Sequence, residues 1–482
     1  MWFKDEFLRL LGNETIYNLS KNTGIERTKL QRIKSGKRQP NKEDIEKIAR
    51  ALFLSAEEKQ ALYRAYEIDL IGVDRYKCRV LSMKFLNDIT AICEKKSSPR
   101  VQNNLNSSFE IHGEVVVTRS TSESIKLITA LVAAEISAGS EICIFTDSYD
   151  ELIFNALSSL LGSNETCPNV KHLIALRPID ETHESYLHNM NVITGIYPIV
   201  INNRNYYPNY IYSSHDSSCF LPYYIITDNY SVNFSRSLSE AVIIRNPELV
   251  NTNRKIFMGR WQNSYSFIYE IRDIFAYIDY YMNNLNNFKD EPVYSLESEP
   301  CLAFFITENL ILNYVKRDFP DCDIIINRAK SYFTGQEDLA VKKVFFQERG
   351  LDSFIQTGQI KEIPEMLCRP FSINDRIAIL RKMIAAAKAK KKYFPMMIKP
   401  EAMYFHENIR FYGTGCMEDI FILLRDDMDG FSSILTLNDS GLSIPFFDFV
   451  KSLEGSESVY TVDETIQIIQ NKLDSLIAKL NI

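Results

Sequence analysis

Four things are missing from this chain, and each absence removes a class of function. No stretch of its 482 residues approaches the ~18 consecutive apolar residues that cross a bilayer, so no membrane partner is expected. The opening residues, Met1-Trp2-Phe3-Lys4-Asp5-Glu6, carry acids where a secretory signal needs basic and then apolar residues, and a cytoplasmic protein is expected. The nine cysteines (Cys78, Cys93, Cys143, Cys167, Cys219, Cys301, Cys322, Cys368 and Cys416) are scattered, odd in number and form no C-x-x-C pair. A disulfide scaffold or zinc site needs paired spacings, so these read as reduced thiols acting as small hydrophobes, with no metal and no cofactor expected. Finally, no internal repeat recurs at solenoid periods.

What is present belongs to a globular protein: 45% hydrophobic and 24% charged residues, in a chain long enough for two to four domains. Net charge is −7 but unevenly spread. Residues 1–64 hold 14 basic and 9 acidic residues, a net of +5, which leaves −12 on the remainder. Most of the excess lies between Arg27 and Lys42. A basic module on an acidic body grips phosphates at one end and repels them elsewhere.

Within that module, Leu19, Ile25, Leu30 and Ile33 are spaced as two short helices crossing at a tight turn require. Gly24 sits where the turn needs positive φ, and Ser20 is small enough for close approach. An entry helix (Phe3, Phe7, Leu10, Leu11) precedes them. Asn41 with Asp44, and Ser55 with Glu58, carry the capping-box spacing for two further helices. The run Ile16 to Ile33, extended through Ser35-Gly36-Lys37-Arg38-Gln39-Pro40 and the helix Ile45–Leu52, resembles the Cro/repressor-like (XRE) helix-turn-helix family. The resemblance covers roughly an eighth of the chain. It implies a second motif helix lying in the major groove of double-stranded DNA. Carried over by position, Arg27, Thr28, Gln31 and Arg32 become base readers. Arg pairs with guanine and Gln with adenine, each for about 1–3 kcal/mol of discrimination. Thr15, Lys29, Lys34, Lys37 and Arg38 become phosphate contacts. Ile16 stands where this family usually has a Gln braced on the backbone; either that phosphate contact is lost or Thr15 replaces it.

Beyond the module, residues 67–96 read as helical, and Lys95–Pro99 with Gln102–Asn104 as a linker. Strands are expected at Glu114–Thr118, Glu141–Thr146, Val170–Leu176, Tyr197–Ile201, Tyr223–Thr227 and Ala241–Ile244. Helices follow Ser120 and Asp147, and another runs from about Asn253 to Ile271. This β-α-β-α-β rhythm implies a parallel sheet. From about Pro292, strands are expected at Cys301–Ile306, Asp323–Ile326, Val344–Phe346, Met403–Phe405, Ile409–Tyr412, Ile420–Leu424 and Ser433–Leu437. Helices are expected after Ser372, near Pro445 and from Ile466 to Leu480. The expected organisation is multidomain. An all-α helix-turn-helix bundle (1–66) is followed by a helical linker (67–108), an α/β sensor or scaffold (109–290) and a C-terminal α/β or α+β effector region (291–482).

The middle region, ending in Tyr223–Tyr230 and Ala241–Val250 before a helix with Phe257 and Trp261, resembles the phospholipase D-like fold in pattern. Active members of that family need a His with a Lys two residues on. None of His112, His172, His183, His188, His215 or His406 has one, so no catalytic residue is expected. Other lures fail on spacing. His183 and His188 lie five apart, which turns them from a common metal on a helix. Gly413-Thr414-Gly415 lacks a third glycine and reads as a hairpin turn. Tyr206, Tyr207, Tyr210 and Tyr212 read as core or loop before ligand pocket. Lys388–Lys392 reads as a solvated helix end.

The expected protein is therefore a non-enzymatic, sequence-specific DNA-binding transcriptional regulator. It would act as a homodimer, with a region that senses a small-molecule or protein effector. The alternatives are a DNA-anchored phosphodiesterase or nuclease-like enzyme, and a helix-turn-helix component of a phage-defence or toxin–antitoxin pair.

Overall fold

The computed structural model describes the chain apart from residues 1, 96–110, 112, 148–152, 156, 158–167, 180–183, 204, 214–220, 271–278, 280–290, 319–321, 336–340, 362, 364, 366, 408, 415–419, 426–431, 438–439 and 481–482. It divides into two compact units, Met1–Val80 and Leu81–Ile482. Most of the expected linker lies outside the described residues. Among those described, no helix is long and apolar enough to cross a membrane.

The first unit is helical: α1 (Phe3–Leu11), α2 (Ile16–Thr23), α3 (Arg27–Lys34), α4 (Lys42–Ala51) and α5 (Ala56–Ile71). Phe3 and Phe7, four apart and thus on one helical face, stack at 5.9 Å; Phe3 meets the edge of Tyr66 at 6.4 Å. Leu19, Ile25, Leu30 and Ile33 join them in one core with Ile45, Ile48 and Leu62. Both capping boxes form, with Asn41 accepting from the Asp44 amide and Ser55 from the Glu58 amide. The helical stretch expected from 67 is interrupted at Gly72 (φ 87°), after which α6 (Val73–Lys95) begins. The division between units falls within α6.

The second unit is mixed α/β and built on two sheets. The first uses β1 (Val115–Thr118), β2 (Ile142–Thr146), β3 (Val170–Leu176), β4 (Tyr206–Tyr212), β5 (Tyr223–Ile226), β6 (Ser231–Phe234), β7 (Ala241–Ile244) and β8 (Tyr265–Ser266). Its order is β1-β7-β6-β5-β2-β3-β4-β8. Helices α7 (Thr121–Ser137), α8 (Glu184–Asn202) and α9 (Pro247–Trp261) intervene. The second sheet uses β9 (Ile268–Glu270), β10 (Val293–Glu297), β11 (Lys342–Gln347), β12 (Tyr393–Ile398), β13 (Phe411–Thr414), β14 (Ile420–Arg425) and β15 (Ser432–Leu437). Its order is β12-β11-β10-β13-β14-β15-β9. The helices of this half are α10 (Glu308–Tyr314), α11 (Cys322–Gly335), α12 (Glu348–Thr357), α13 (Ile373–Ala389), α14 (Ser440–Ser452) and α15 (Val462–Leu480).

These two sheets repeat one topology. In each, a leading strand (β2, β10) is flanked on one side by two parallel strands (β3 and β4; β11 and β12). On the other side lie three antiparallel strands in chain order, and then the strand that precedes the leader (β1, β9). The sheets are mixed, not the parallel sheet that the β-α-β rhythm suggested. The returning strands supply the antiparallel side. Because β9 closes the second sheet, that sheet reaches back to Ile268, before the expected boundary at 290/291.

Several elements depart from expectation, for one physical reason. A short apolar run has the same composition in a strand and in a buried helix, and only its distant partners decide between them. Tyr197–Ile201 lies in α8, where Val192, Ile193, Ile196, Tyr197 and Ile199 are buried and Tyr197 meets Phe85 at 4.7 Å. Asp323–Ile326 lies in α11. Cys301–Ile306 forms a 3-10 turn (Ala303–Phe305). Met403–Phe405 is no strand; Gln347 bonds the Phe405 carbonyl at 2.8 Å. The helix expected from Asn253 starts at Pro247, capped by Asn246, and ends at Trp261. Pro445 lies inside α14 instead of opening it. Asp147, expected as a cap, pairs with Arg236. Most of the stretch expected as the helix after it lies outside the described residues.

Candidate nucleic-acid interface

The turn between α2 and α3 is held by short-range bonds that its sequence makes available. Gly24 takes φ 70°, and its N–H donates to the Ser20 carbonyl at 2.9 Å. The Ser20 hydroxyl donates to the Ile25 carbonyl at 2.6 Å, tying α2 to the turn that follows it. Thr23 donates to the Leu19 carbonyl (2.7 Å) and accepts from the Ile25 amide (3.2 Å). The geometry of α3 against α2 is thus fixed by groups within ten residues of one another.

From this turn α3 presents two faces. Leu30 and Ile33 are buried, while Arg27, Thr28, Gln31 and Arg32 are all exposed. Residues 27–42 contain seven basic side chains and no acidic one. Gly36 (φ 73°) ends the helix, and the amides of Lys37 and Arg38 both donate to the Arg32 carbonyl, at 2.9 and 3.2 Å. That hook holds two exposed cations beside the end of α3. Lys34 is half-buried.

Two features of the site differ from what spacing alone suggested. Lys29 does not stand free for a phosphate. Its ammonium lies 2.7 Å from the carboxylate of Asp44, which is buried and also completes the α4 capping box. A buried carboxylate needs such a partner, and this takes Lys29 out of the exposed cation set. Thr15 is the N-cap of α2, and its hydroxyl oxygen accepts from the Asn18 amide at 3.2 Å. Ile16 beside it is buried, so of the two residues only Thr15 remains exposed. Sequence reasoning missed Tyr17. This exposed ring, 63% accessible, has the Arg27 guanidinium 6.0 Å from its centroid. An exposed aromatic on α2 near the start of α3 was the available signal. At that distance the ring face and the guanidinium attract one another weakly.

Among the described residues of the second unit, one histidine is completely enclosed. His172 is fully buried; its Nε2 lies 2.9 Å from the Thr146 hydroxyl and its Nδ1 2.7 Å from the Tyr206 hydroxyl. Burial pushes its pKa down to about 3, so it is a neutral structural imidazole at physiological pH. Just beyond the end of each leading strand sits an acid–arginine pair, Asp147 with Arg236 and Glu299 with Arg410. Among the described residues no cluster of His, Cys, Asp and Glu has the geometry of a metal site. His112, His183 and His215 lie outside those residues, as does Gly415. Lys390, within the lysine run, takes a left-handed conformation at the end of α13 and pairs with Asp463. Tyr206 and Tyr210 are core residues of β4, while Tyr207 is exposed.

No family model matches the chain, and no curated protein matches it. Among solved structures, a phospholipase D family member, Nuc, from Salmonella typhimurium is similar at 21% identity. That match covers 32% of this chain and 97% of Nuc, with a TM-score of 0.22. TrmBL2, an archaeal chromatin protein described as having a novel mode of DNA binding, is 12% identical over 55% of this chain and 93% of its own, with a TM-score of 0.21. Polyphosphate kinase from Porphyromonas gingivalis is 10% identical over 79% of this chain and 58% of its own, with a TM-score of 0.22. Likeness at this level assigns neither a family nor an activity.

Proposed function

We propose that the chain is a sequence-specific DNA-binding transcriptional regulator of the Cro/repressor-like helix-turn-helix kind, with residues 81–482 as its effector-sensing, non-catalytic part. The observation that carries this reading is the division of α3. Its apolar side is locked into the core, and its other side offers Arg27, Thr28, Gln31 and Arg32 within an acid-free stretch of seven cations. In this reading those four residues read base edges. Thr15, Lys34, Lys37 and Arg38 contact phosphates, and Tyr17 orients Arg27. Lys29 is reassigned to holding α4. A single module of this size buries too little surface for operator affinity, so the chain acts as a homodimer on a pseudo-palindrome. The buried neutral His172 and the two acid–arginine pairs speak for a body without catalysis, since an incoming phosphate would have to displace a carboxylate from each arginine.

The test is selection of bound sequences with the full-length protein, followed by sizing of the complex. An enriched inverted repeat carrying two copies is the expected result; no enriched sequence rejects the reading. Arg27→Ala should weaken the selected site by about 1–3 kcal/mol more than random DNA. Lys37→Ala should weaken both equally and flatten the salt dependence. Hydrolysis of bis(p-nitrophenyl) phosphate by the pure protein would reject the non-catalytic assignment.

A further inference from the structure

Spacing alone makes all nine cysteines inert small hydrophobes, and Cys301 departs from that. Its sulfur lies 2.7 Å from the Lys342 ammonium, which donates a hydrogen to it. Both residues are buried, at 1% and 3% exposure. The contact joins positions 41 apart in the chain, and both of its ends are pinned. Lys342 opens β11, between Val293 of β10 and Tyr393 of β12. Cys301 precedes the 3-10 turn, in which the Phe305 amide donates to the Leu302 carbonyl at 2.8 Å. The Tyr393 hydroxyl donates to the Cys301 carbonyl at 3.3 Å. The rings of Phe304 and Tyr412, centred 5.7 and 5.2 Å from the ammonium, flank it.

Two nucleophiles held in contact can do together what neither does alone. The thiolate is the nucleophilic form of cysteine, and a neighbouring ammonium favours it. Two other buried thiols of this unit are disposed the opposite way. Burial pushes the pKa of Cys143 up to about 12 and that of Cys368 up to about 11. An open cavity of about 380 Å³ lies beside Phe304. A small polar oxidant in that cavity is separated from Lys342 by one half-buried ring.

We infer that Cys301 and Lys342 form a modification site, at which hydrogen peroxide drives formation of a reversible S–N bond between the two side chains. The thiolate attacks one peroxide oxygen and the O–O bond breaks. The hydroxide released takes a proton from the Lys342 ammonium and leaves as water. The sulfur is then a sulfenic acid, oxidised by two electrons, and the nitrogen is a neutral amine. The nitrogen lone pair attacks the sulfur, the S–O bond breaks, and the departing hydroxide leaves as water with one N–H proton. One thiol, one amine and one peroxide thus become one sulfenamide and two waters. Two equivalents of an external thiol reverse the step and are themselves oxidised to a disulfide. The bridge does not depend on the regulator reading.

The test is mass spectrometry of the native full-length protein, treated with excess hydrogen peroxide, quenched with catalase and digested with trypsin without reductant. The expected product joins the peptide holding Cys301 to the one holding Lys342, at their summed mass less two hydrogens, and cleavage after Lys342 is lost. Dithiothreitol should restore both peptides. Cys301→Ser should abolish the joined species. Lys342→Met should abolish it too, and let Cys301 proceed to the sulfinic acid. Because Lys342→Met alters a buried position, the wild type in denaturing urea is a second control. There peroxide should oxidise Cys301 without joining it to Lys342. Three results would each overturn the bridge: Cys301 recovered from the native wild type unmodified or as sulfinic acid beside a free Lys342, a joined species carrying an extra oxygen, or joining undiminished in urea.

Discussion

In the first sheet the face below β2 carries a neutral set, with Thr146, His172 and Tyr206 bonded to one another. In the second, the corresponding face carries charge. Lys342 lies there 2.7 Å from the Cys301 sulfur, near the rings of Phe304 and Tyr412, with Ser295 and Glu297 also buried. The backbones nonetheless follow one plan. Tyr206 and Tyr393 each open the third parallel strand, opposite Val170 and Lys342 respectively, and both are fully buried. Hydrogen-bond ladders and burial fix the strand order; they leave open which polar groups fill the space between sheet and helices, so two copies of one topology hold different chemistry.

The largest expected effect tests how closely the second half is packed. A Cβ on Gly350, near the start of α12, would stand 2.0 Å from the Ser298 carbonyl oxygen just after β10. Gly350→Ala should therefore cost on the order of 3–5 kcal/mol in denaturant unfolding. A loss below about 1 kcal/mol would mean that helix and strand end are not so close.

A pH titration separates the two halves next. The His172 pKa is held down to about 3 by burial, against about 6.5 in an unfolded chain. Between those values the unfolded state binds the extra proton, so this group's contribution is complete above pH 6.5 and is lost as pH falls toward 3. From pH 8 to pH 5 it should remove about 2 kcal/mol of stability. In His172→Gln that part of the slope should vanish. An unchanged slope would locate the acid sensitivity elsewhere, for instance in the charged set of the second half.

The matched tyrosines sharpen the comparison. Tyr206→Phe leaves a buried His172 nitrogen without its partner and should cost about 1–3 kcal/mol. Tyr393→Phe gives up a 3.3 Å bond to the Cys301 carbonyl and should cost about 0.5–1.5 kcal/mol. Equal costs would mean that the two sites are alike in energy as well as in place.

The smallest effects concern two partly exposed ion networks of opposite composition. In the first half Glu141 serves Lys171 and Arg254; in the second Lys472 serves Glu348 and Asp352. Glu141→Gln and Lys472→Gln should each cost under about 1 kcal/mol, less in high salt. A loss that persists at 1 M salt would show packing, not charge, at work.

What could be read from sequence was what is decided locally. The caps at Asn41, Ser55, Ser120 and Ser372 each bond an amide three residues on, so a window of four residues contains the whole cause. The apolar residues and Gly24 of the α2–α3 turn were legible for the same reason, as were the exposed positions of α3. Lys29 was not, because its partner Asp44 is fifteen residues away and on another helix. Tyr197–Ile201 and Cys301–Ile306 were misassigned because their conformation is settled by distant chain segments, such as Phe85 and Tyr393.

One detail of the strand order sets a schedule for synthesis. The partner of β9 is β15, about 165 residues later, and a ribosome adds roughly 5–20 residues per second. The edge of β9 therefore stays open for on the order of ten seconds or longer while the rest of its sheet is made. Strand β1 waits for β7 in the same way. Each half can close only after its final strand has left the exit tunnel, and until then it carries an unpaired edge of the kind that other chains capture.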